Sequence, residues 1–167
     1  MASVYLSLGS NIDREANLCV CMQQLRHDFA DIVFSQVYET PAVGFVGEPF
    51  LNLAAGFTTE LTPNALKQYL RDLETAHGRL RGEKKFSART LDLDLLLYDT
   101  LDLRPEHNLP HSDILAYPFV LFPLAEIAPE ALHPGLKQTI AEVAGNSALP
   151  RNTLNIIRLD CSNKKRA

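Results

Sequence analysis

Two carboxylates on one short strand constrain this chain more than any other feature. Over Leu91–Tyr98, Asp92 and Asp94 alternate with Leu91, Leu93 and Leu95. Residues two apart in a strand share a face, so the leucines require a covered side of a sheet and the carboxylates take the other side. Adjacent carboxylates repel each other unless a cation lies between them, and hard divalent ions such as Mg²⁺ prefer oxygen ligands. Just upstream lie Arg79, Arg81, Lys84, Lys85 and Arg89, five of the 16 Lys and Arg of the chain. An acidic pair beside a cationic loop suits a metal-bound polyphosphate, with metal on the carboxylates and anion on the basic groups. The pattern also fits a half-exposed strand whose acidic face is merely solvated.

The surrounding elements follow from periodicity and punctuation. Ser3–Leu8 reads as a strand that ends at Gly9-Ser10-Asn11, and Ser10-x-x-Asp13 has the form of a helix start. Leu18, Met22, Leu25 and Phe29 recur at helical spacing. Residues 32–39 read as a second strand, residues 40–49 as a Pro/Gly-punctuated loop and Phe50–Thr59 as a third strand. Thr62-Pro63 starts a second helix with Leu66, Leu70, Leu73 and His77 on one side and Gly78 as its stop. The order is βαββαβ, which predicts a ferredoxin-like α+β core. Beyond residue 100 the pattern predicts helices over residues 119–127 and 138–144 and a last strand over 155–159. With no linker or repeat, residues 1–167 read as a single domain whose C-terminal part is an α/β extension.

Composition limits the partners. The net charge of −4 argues against general binding to nucleic acid or to an anionic membrane. No apolar run approaches the ~18 residues of a membrane span, and the N-terminus lacks the basic region of a signal peptide. Cys19, Cys21 and Cys161 have no metal-site spacing, and the expectation is free thiols in a cytoplasmic protein. His107 and His111 are separated by Pro110, which breaks the helix that zinc ligation at this spacing uses. On the third strand Phe50 and Asn52 share a face, where a planar ligand would find a ring to stack on and an amide to read its edge.

Gly9-Ser-Asn11, Thr40-Pro41, Phe50-Leu-Asn52, Glu74 with Gly78-Arg-Leu-Arg81, Ala88-Arg-Thr-Leu-Asp-Leu-Asp94, Pro110-His111 and the run from Phe119 to Pro129 stand in a familiar order and spacing. Together they resemble the 6-hydroxymethyl-7,8-dihydropterin pyrophosphokinases of folate biosynthesis. The resemblance implies transfer of the β,γ-diphosphate of ATP to the pterin hydroxymethyl oxygen, with AMP released. It implies two Mg²⁺ ions on Asp92 and Asp94, and catalytic loop arginines Arg79 and Arg89. Thr40, Val43, Phe50, Asn52 and Phe119 would hold the pterin, the two phenylalanines sandwiching it. Glu74, Arg81, Phe86, Arg89, Leu95 and His111 match nucleotide-binding positions, and loops 41–49 and 82–90 would cover the site. The implied protein is a cytoplasmic monomer acting on small molecules. Two departures stand out. Ser87-Ala88 replace the family's Gly-Pro, and Ser112–Pro118 carries no arginine after His111. They leave open a divergent paralogue, or a pterin- or nucleotide-binding sensor without catalysis.

Overall fold

The computed structural model describes residues 1–42, 44, 46–78 and 90–162. The chain runs β1 (Ala2–Ser10), α1 (Arg14–Asp28), β2 (Val33–Phe34), β3 (Val37–Thr40), β4 (Phe50–Thr59), α2 (Pro63–Ala76) and β5 (Asp92–Tyr98). It continues with α3 (Asp113–Ala116), α4 (Pro118–Ile127), β6 (Leu132–His133), β7 (Gln138–Thr139), α5 (Ile140–Gly145) and β8 (Asn155–Ile157). The main sheet has the order β5-β1-β4-β3-β8, with β2 also on β4. All its pairings are antiparallel. With β2 and β3 counted as one interrupted strand, this is the expected ferredoxin-like order, extended by β8 at one edge.

The interruption has a local cause. Ser35 accepts the Ala54 N–H on its hydroxyl, and Gln36 donates its N–H to Glu126 of α4. Ser35 still donates its main-chain N–H to the Ala54 carbonyl at 2.9 Å, whereas Gln36 gives its N–H to a side chain instead of a neighbouring strand. The α2 start is as expected: the Thr62 hydroxyl accepts the Ala65 N–H at 3.2 Å, Pro63 follows, and Gly78 stops the helix at φ +88°. The α1 start differs. Asp13 precedes it in a left-handed conformation without a side-chain cap, and the Ser10 hydroxyl instead donates to the Thr90 carbonyl at 2.6 Å. Ser10 therefore ties the end of β1 to the start of β5 rather than capping α1.

Two apolar layers enclose the sheet. On one face, Val4, Leu6 and Leu8 of β1, Leu51, Leu53 and Phe57 of β4, Leu91 just before β5, and Leu93 and Leu95 of β5 pack on Leu18, Met22 and Leu25 of α1 and Leu66 and Leu70 of α2. A second cluster joins Leu96 and Leu97 to Val120, Leu121 and Leu124 of α4 and Ile140 and Val143 of α5. Two successive leucines serve one layer because β5 bulges: Tyr5 pairs with Leu97 and Leu6 with Leu95, leaving Leu96 extra. The Arg151 guanidinium lies 4.2 Å over the Phe122 ring of α4, joining the C-terminal segment to the second layer. Among the described residues, no helix is long and apolar enough to cross a membrane.

The cysteines correct the expectation of free thiols. Cys19 and Cys161 form a disulfide across 142 residues of sequence, with Cα atoms 5.3 Å apart. It fastens the segment after β8 to α1, a proximity that spacing alone does not reveal. Cys21 remains a thiol; burial, and then the nearby Glu74 charge, push it up to about 12. A thiol held neutral and enclosed is unreactive. Thiol titration of the oxidised protein should therefore give no fast-reacting group when native and one when unfolded, rising to three after reduction of the unfolded chain. Three fast native thiols would contradict the pairing.

Candidate functional site

Register across the sheet assembles the polar groups. Gly9 of β1 pairs with Asp92 on one side and Asn52 on the other, and Asn52 pairs with Tyr38. Two residues along one way, Ser7 lies between Asp94 and Ala54; two residues along the other way, Phe50 pairs with Thr40. Adjacent strands are about 4.8 Å apart, so roughly 10 Å separates the carboxylate strand from the amide strand. Small residues on β1 keep the floor between them low.

Gly9 shows why a side chain is absent there. A Cβ at this position would lie 2.8 Å from Asn52 Oδ1. The Asn52 amide thus occupies the space above Gly9 while its Nδ2 donates to Thr40 Oγ1 at 2.7 Å. That buried pair fixes which edge of the amide is presented. Tyr38, one strand further, donates its hydroxyl to Glu126 of α4 at 2.6 Å. Burial and that bond push the phenol up to about 12, so it remains a donor.

Asp92 and Asp94 are both partly exposed on one face of β5, as the alternation predicts. His111 joins them from the loop before α3: its Nε2 lies 3.7 Å from Asp94 Oδ1. Asp113, which sequence reasoning did not single out, contributes a carboxylate 3.8 Å from His111 Nδ1. One ligand atom each from Asp94, His111 and Asp113 falls within 4.8 Å of the others. With Asp92 beside them, the set is rich in oxygen donors and suits a hard divalent ion.

The remaining expected residues divide into three groups. Phe50 opens β4 half-buried, and Phe119 sits in the first turn of α4, where it stacks on Tyr117 at 5.0 Å between centroids. Glu74 is buried, and its Oε2 accepts the Leu93 N–H of β5 at 3.0 Å, so it holds the carboxylate strand against α2. The Leu95 side chain is core, which leaves its main chain as the part that could face a ligand. Val43, Arg79, Arg81, Phe86 and Arg89 lie outside the described residues.

Around this centre, buried polar contacts set the frame. His77 Nδ1 and Asn17 Oδ1 meet at 3.1 Å between α2 and α1. Asn11 donates to the Glu48 carbonyl at 3.0 Å, and Arg14 donates to the Pro49 carbonyl while pairing with Glu39 at 2.6 Å. The Gly9-Ser10-Asn11 turn therefore anchors the end of the 41–49 loop. Only its helix-opening form was legible in the sequence, because the partners are 37 and 80 residues away.

Residues 5–129 match the family described as 7,8-dihydro-6-hydroxymethylpterin-pyrophosphokinase, HPPK. The 2-amino-4-hydroxy-6-hydroxymethyldihydropteridine pyrophosphokinase of Methylorubrum extorquens is 37% identical over 147 residues, covering 85% of this chain and 91% of that relative. The protein of the same name from Aquifex aeolicus is 33% identical over 157 residues, covering 92% and 94%. Among solved structures, Plasmodium falciparum HPPK-DHPS wild type aligns with a TM-score of 0.64 at 14% identity. That alignment covers 86% of this chain and 44% of the larger one, and the likeness is one of fold.

The contact over Gly9 yields a prediction. Gly9→Ala should push the Asn52 amide aside, break its bond to Thr40 and destabilise the fold by about 1–3 kcal/mol in urea unfolding. Asn52→Ala in the same chain removes the obstructing group, so the double variant should lose less than the sum of the singles. Strict additivity would show that the two positions do not press on each other.

Proposed function

The chain belongs to the 7,8-dihydro-6-hydroxymethylpterin-pyrophosphokinase family, and we propose that the open half of its sheet is where diphosphate passes from ATP to the hydroxymethyl pterin. The observation that carries this reading is the single row formed by Asp92, Gly9 and Asn52. It sets a carboxylate centre at one end and a pterin-reading amide at the other. The enzyme is a pyrophosphokinase of folate biosynthesis. In the reaction, the hydroxymethyl oxygen bonds to the β-phosphorus. The bond from that phosphorus to the α,β-bridging oxygen breaks, AMP leaves, and the hydroxyl proton is released.

Asn52, oriented by Thr40, reads the pterin edge, and the rings of Phe50 and Phe119 hold its faces, with Val43 at the rim. Asp92 and Asp94 would hold two Mg²⁺ ions, which when bound neutralise phosphate charge and favour ionisation of the attacking hydroxyl. The nucleotide lies along β5, against the Leu95 main chain and His111, with Arg81 and Phe86 from the 79–89 segment. Glu74 serves this side by holding β5 through Leu93. Arg79 and Arg89 stabilise the transferred group, because a guanidinium matches the geometry of phosphoryl oxygens. Closure of residues 41–49 and 82–90 over the reactants would exclude water.

Residues 1–167 act as one pyrophosphokinase domain, a reading supported by β8 pairing with β3 in the same sheet. The enzyme works as a cytoplasmic monomer on small molecules, without nucleic acid or membrane. The decisive assay supplies ATP, Mg²⁺ and 6-hydroxymethyl-7,8-dihydropterin and separates AMP from ADP. AMP should form only with all three present; its absence from a folded preparation would overturn the reading.

Asp94→Asn should lower turnover by about 100-fold or more while leaving the unfolding midpoint nearly unchanged, since Asp94 is partly exposed. Turnover close to wild type would remove Asp94 from the metal centre. Arg89→Ala should lower kcat by about 100-fold with little change in pterin affinity, measured by single-turnover kinetics and pterin fluorescence. An unchanged single-turnover rate would take Arg89 out of the chemical step.

A further inference from the structure

Two elements, α4 and β3, bring opposite walls to the amide end of the open face. α4 carries Phe119 in its first turn and packs its apolar side on Leu96 and Leu97 of β5. Its far end reaches β4, where a Cβ on Gly56 would meet Ile127 Cδ1 at 3.6 Å. β3 is four residues long, is parted from β2 at Ser35-Gln36, and carries Thr40, whose hydroxyl accepts the Asn52 amide N–H. Tyr38 shares a face with Thr40 and a row with Asn52. The two walls come from segments about 80 residues apart, so some contact between α4 and β3 must set the gap between them.

Glu126 makes that contact. Its Oε1 accepts the Tyr38 hydroxyl at 2.6 Å, and its Oε2 accepts the Gln36 N–H at 2.5 Å. One carboxylate thus grips β3 by a side chain and by the main chain, which fixes orientation as well as distance. Glu126 lies about two helical turns beyond Phe119, on the same side of α4. Packing on leucines is non-directional and leaves a helix free to slide by a fraction of an ångström. A slot for a flat ring has less tolerance, because stacking and hydrogen bonds along the ring edge must both be satisfied at once. We infer that Glu126 is a positioning residue for the pterin: through Tyr38 and Gln36 it sets the gap between the Phe119 ring and the Asn52 amide. The carboxylate itself is solvent-exposed, so its replacement leaves no buried charge and no hole in the core.

The inference rests on the placement of the pterin proposed above, and the measurements separate the two. With Mg²⁺ and α,β-methylene-ATP present, Kd for 6-hydroxymethylpterin, read by its fluorescence, should rise about tenfold in Glu126→Ala, as expected for one or two lost hydrogen bonds. Kd for the nucleotide analogue alone should stay within about twofold, because Glu126 is tied to β3 and not to the carboxylate strand. Glu126→Gln keeps one acceptor oxygen for two donors and should fall between wild type and Glu126→Ala. Tyr38→Phe should weaken pterin binding, and adding it to Glu126→Ala should change nothing further. In protein labelled with ¹³Cζ-tyrosine, the Tyr38 resonance, identified among the five by its loss in Tyr38→Phe, should move in Glu126→Ala. Unchanged pterin affinity, an unmoved Tyr38 resonance, or equal losses for pterin and nucleotide would each overturn the inference. Wild-type protein that binds the nucleotide analogue but no pterin would sink the placement and the inference with it. Pterin binding that Glu126→Ala fully retains would sink the inference alone. Should Glu126→Ala fail to fold, Glu126→Gln and Tyr38→Phe supply the same comparison.

Discussion

Everything at the site depends on β1 pairing antiparallel with β4 and β5 at once. Backbone hydrogen bonds set the strand spacing within narrow limits, so the registers of two pairings decide which side chains share a row. Asp92, Gly9 and Asn52 come from three distant parts of the sequence, and a slip of one residue in either pairing would send one of them to the opposite face. The leucines of the same strands oppose any such slip, because it would turn them out of the layer beneath α1 and α2. The chemistry is thus held in place by packing on the far side of the sheet. Small residues on the middle strand then leave room above the floor, and α4 covers only the apolar half of that face.

Buried polar groups provide the second level of control. Glu74 is an expensive residue to enclose, and it is stabilised by accepting an N–H from the strand that carries the carboxylates. The His77–Asn17 contact and the bond from Ser10 to Thr90 act in the same way at helix–helix and strand–strand junctions. Each joins elements at the margin of the open face, where apolar contact alone would allow sliding. Such contacts add directionality to a core whose dispersion forces are largely isotropic.

Local rules made much of this visible in the sequence. Alternation placed Asp92 and Asp94, helix periodicity placed Leu18, Met22 and Leu25, and Thr62-Pro63 marked a real cap. What escaped was non-local. Ser10 resembles a cap residue but bonds to Thr90, and Gln36 interrupts a strand because its N–H goes to Glu126 of α4. Cys19 meets Cys161 only once β8 has docked on β3. Asp113 has no signal beyond an ordinary acidic residue near a histidine, because its carboxylate nears Asp94 only once the loop before α3 has folded against β5. The residues proposed to meet pterin and nucleotide stood out only through the spacing of several motifs taken together, whereas Asn52 alone showed only that some polar partner was needed.

The extra residue at Leu96 has a consequence for how β5 can change. Upstream of it, odd and even positions divide between the leucine layer and the carboxylates; downstream, the assignment is reversed, and Leu97 joins Leu96 beneath α4. The strand therefore contains a phase boundary. Gain or loss of a residue on the carboxylate side would rotate Asp92 and Asp94 into the apolar layer, a frameshift in space. The same change on the other side could be absorbed by moving or erasing the bulge. Sequence drift is thus tolerated asymmetrically along seven residues of one strand, with the boundary insulating the carboxylate half from the half that only packs.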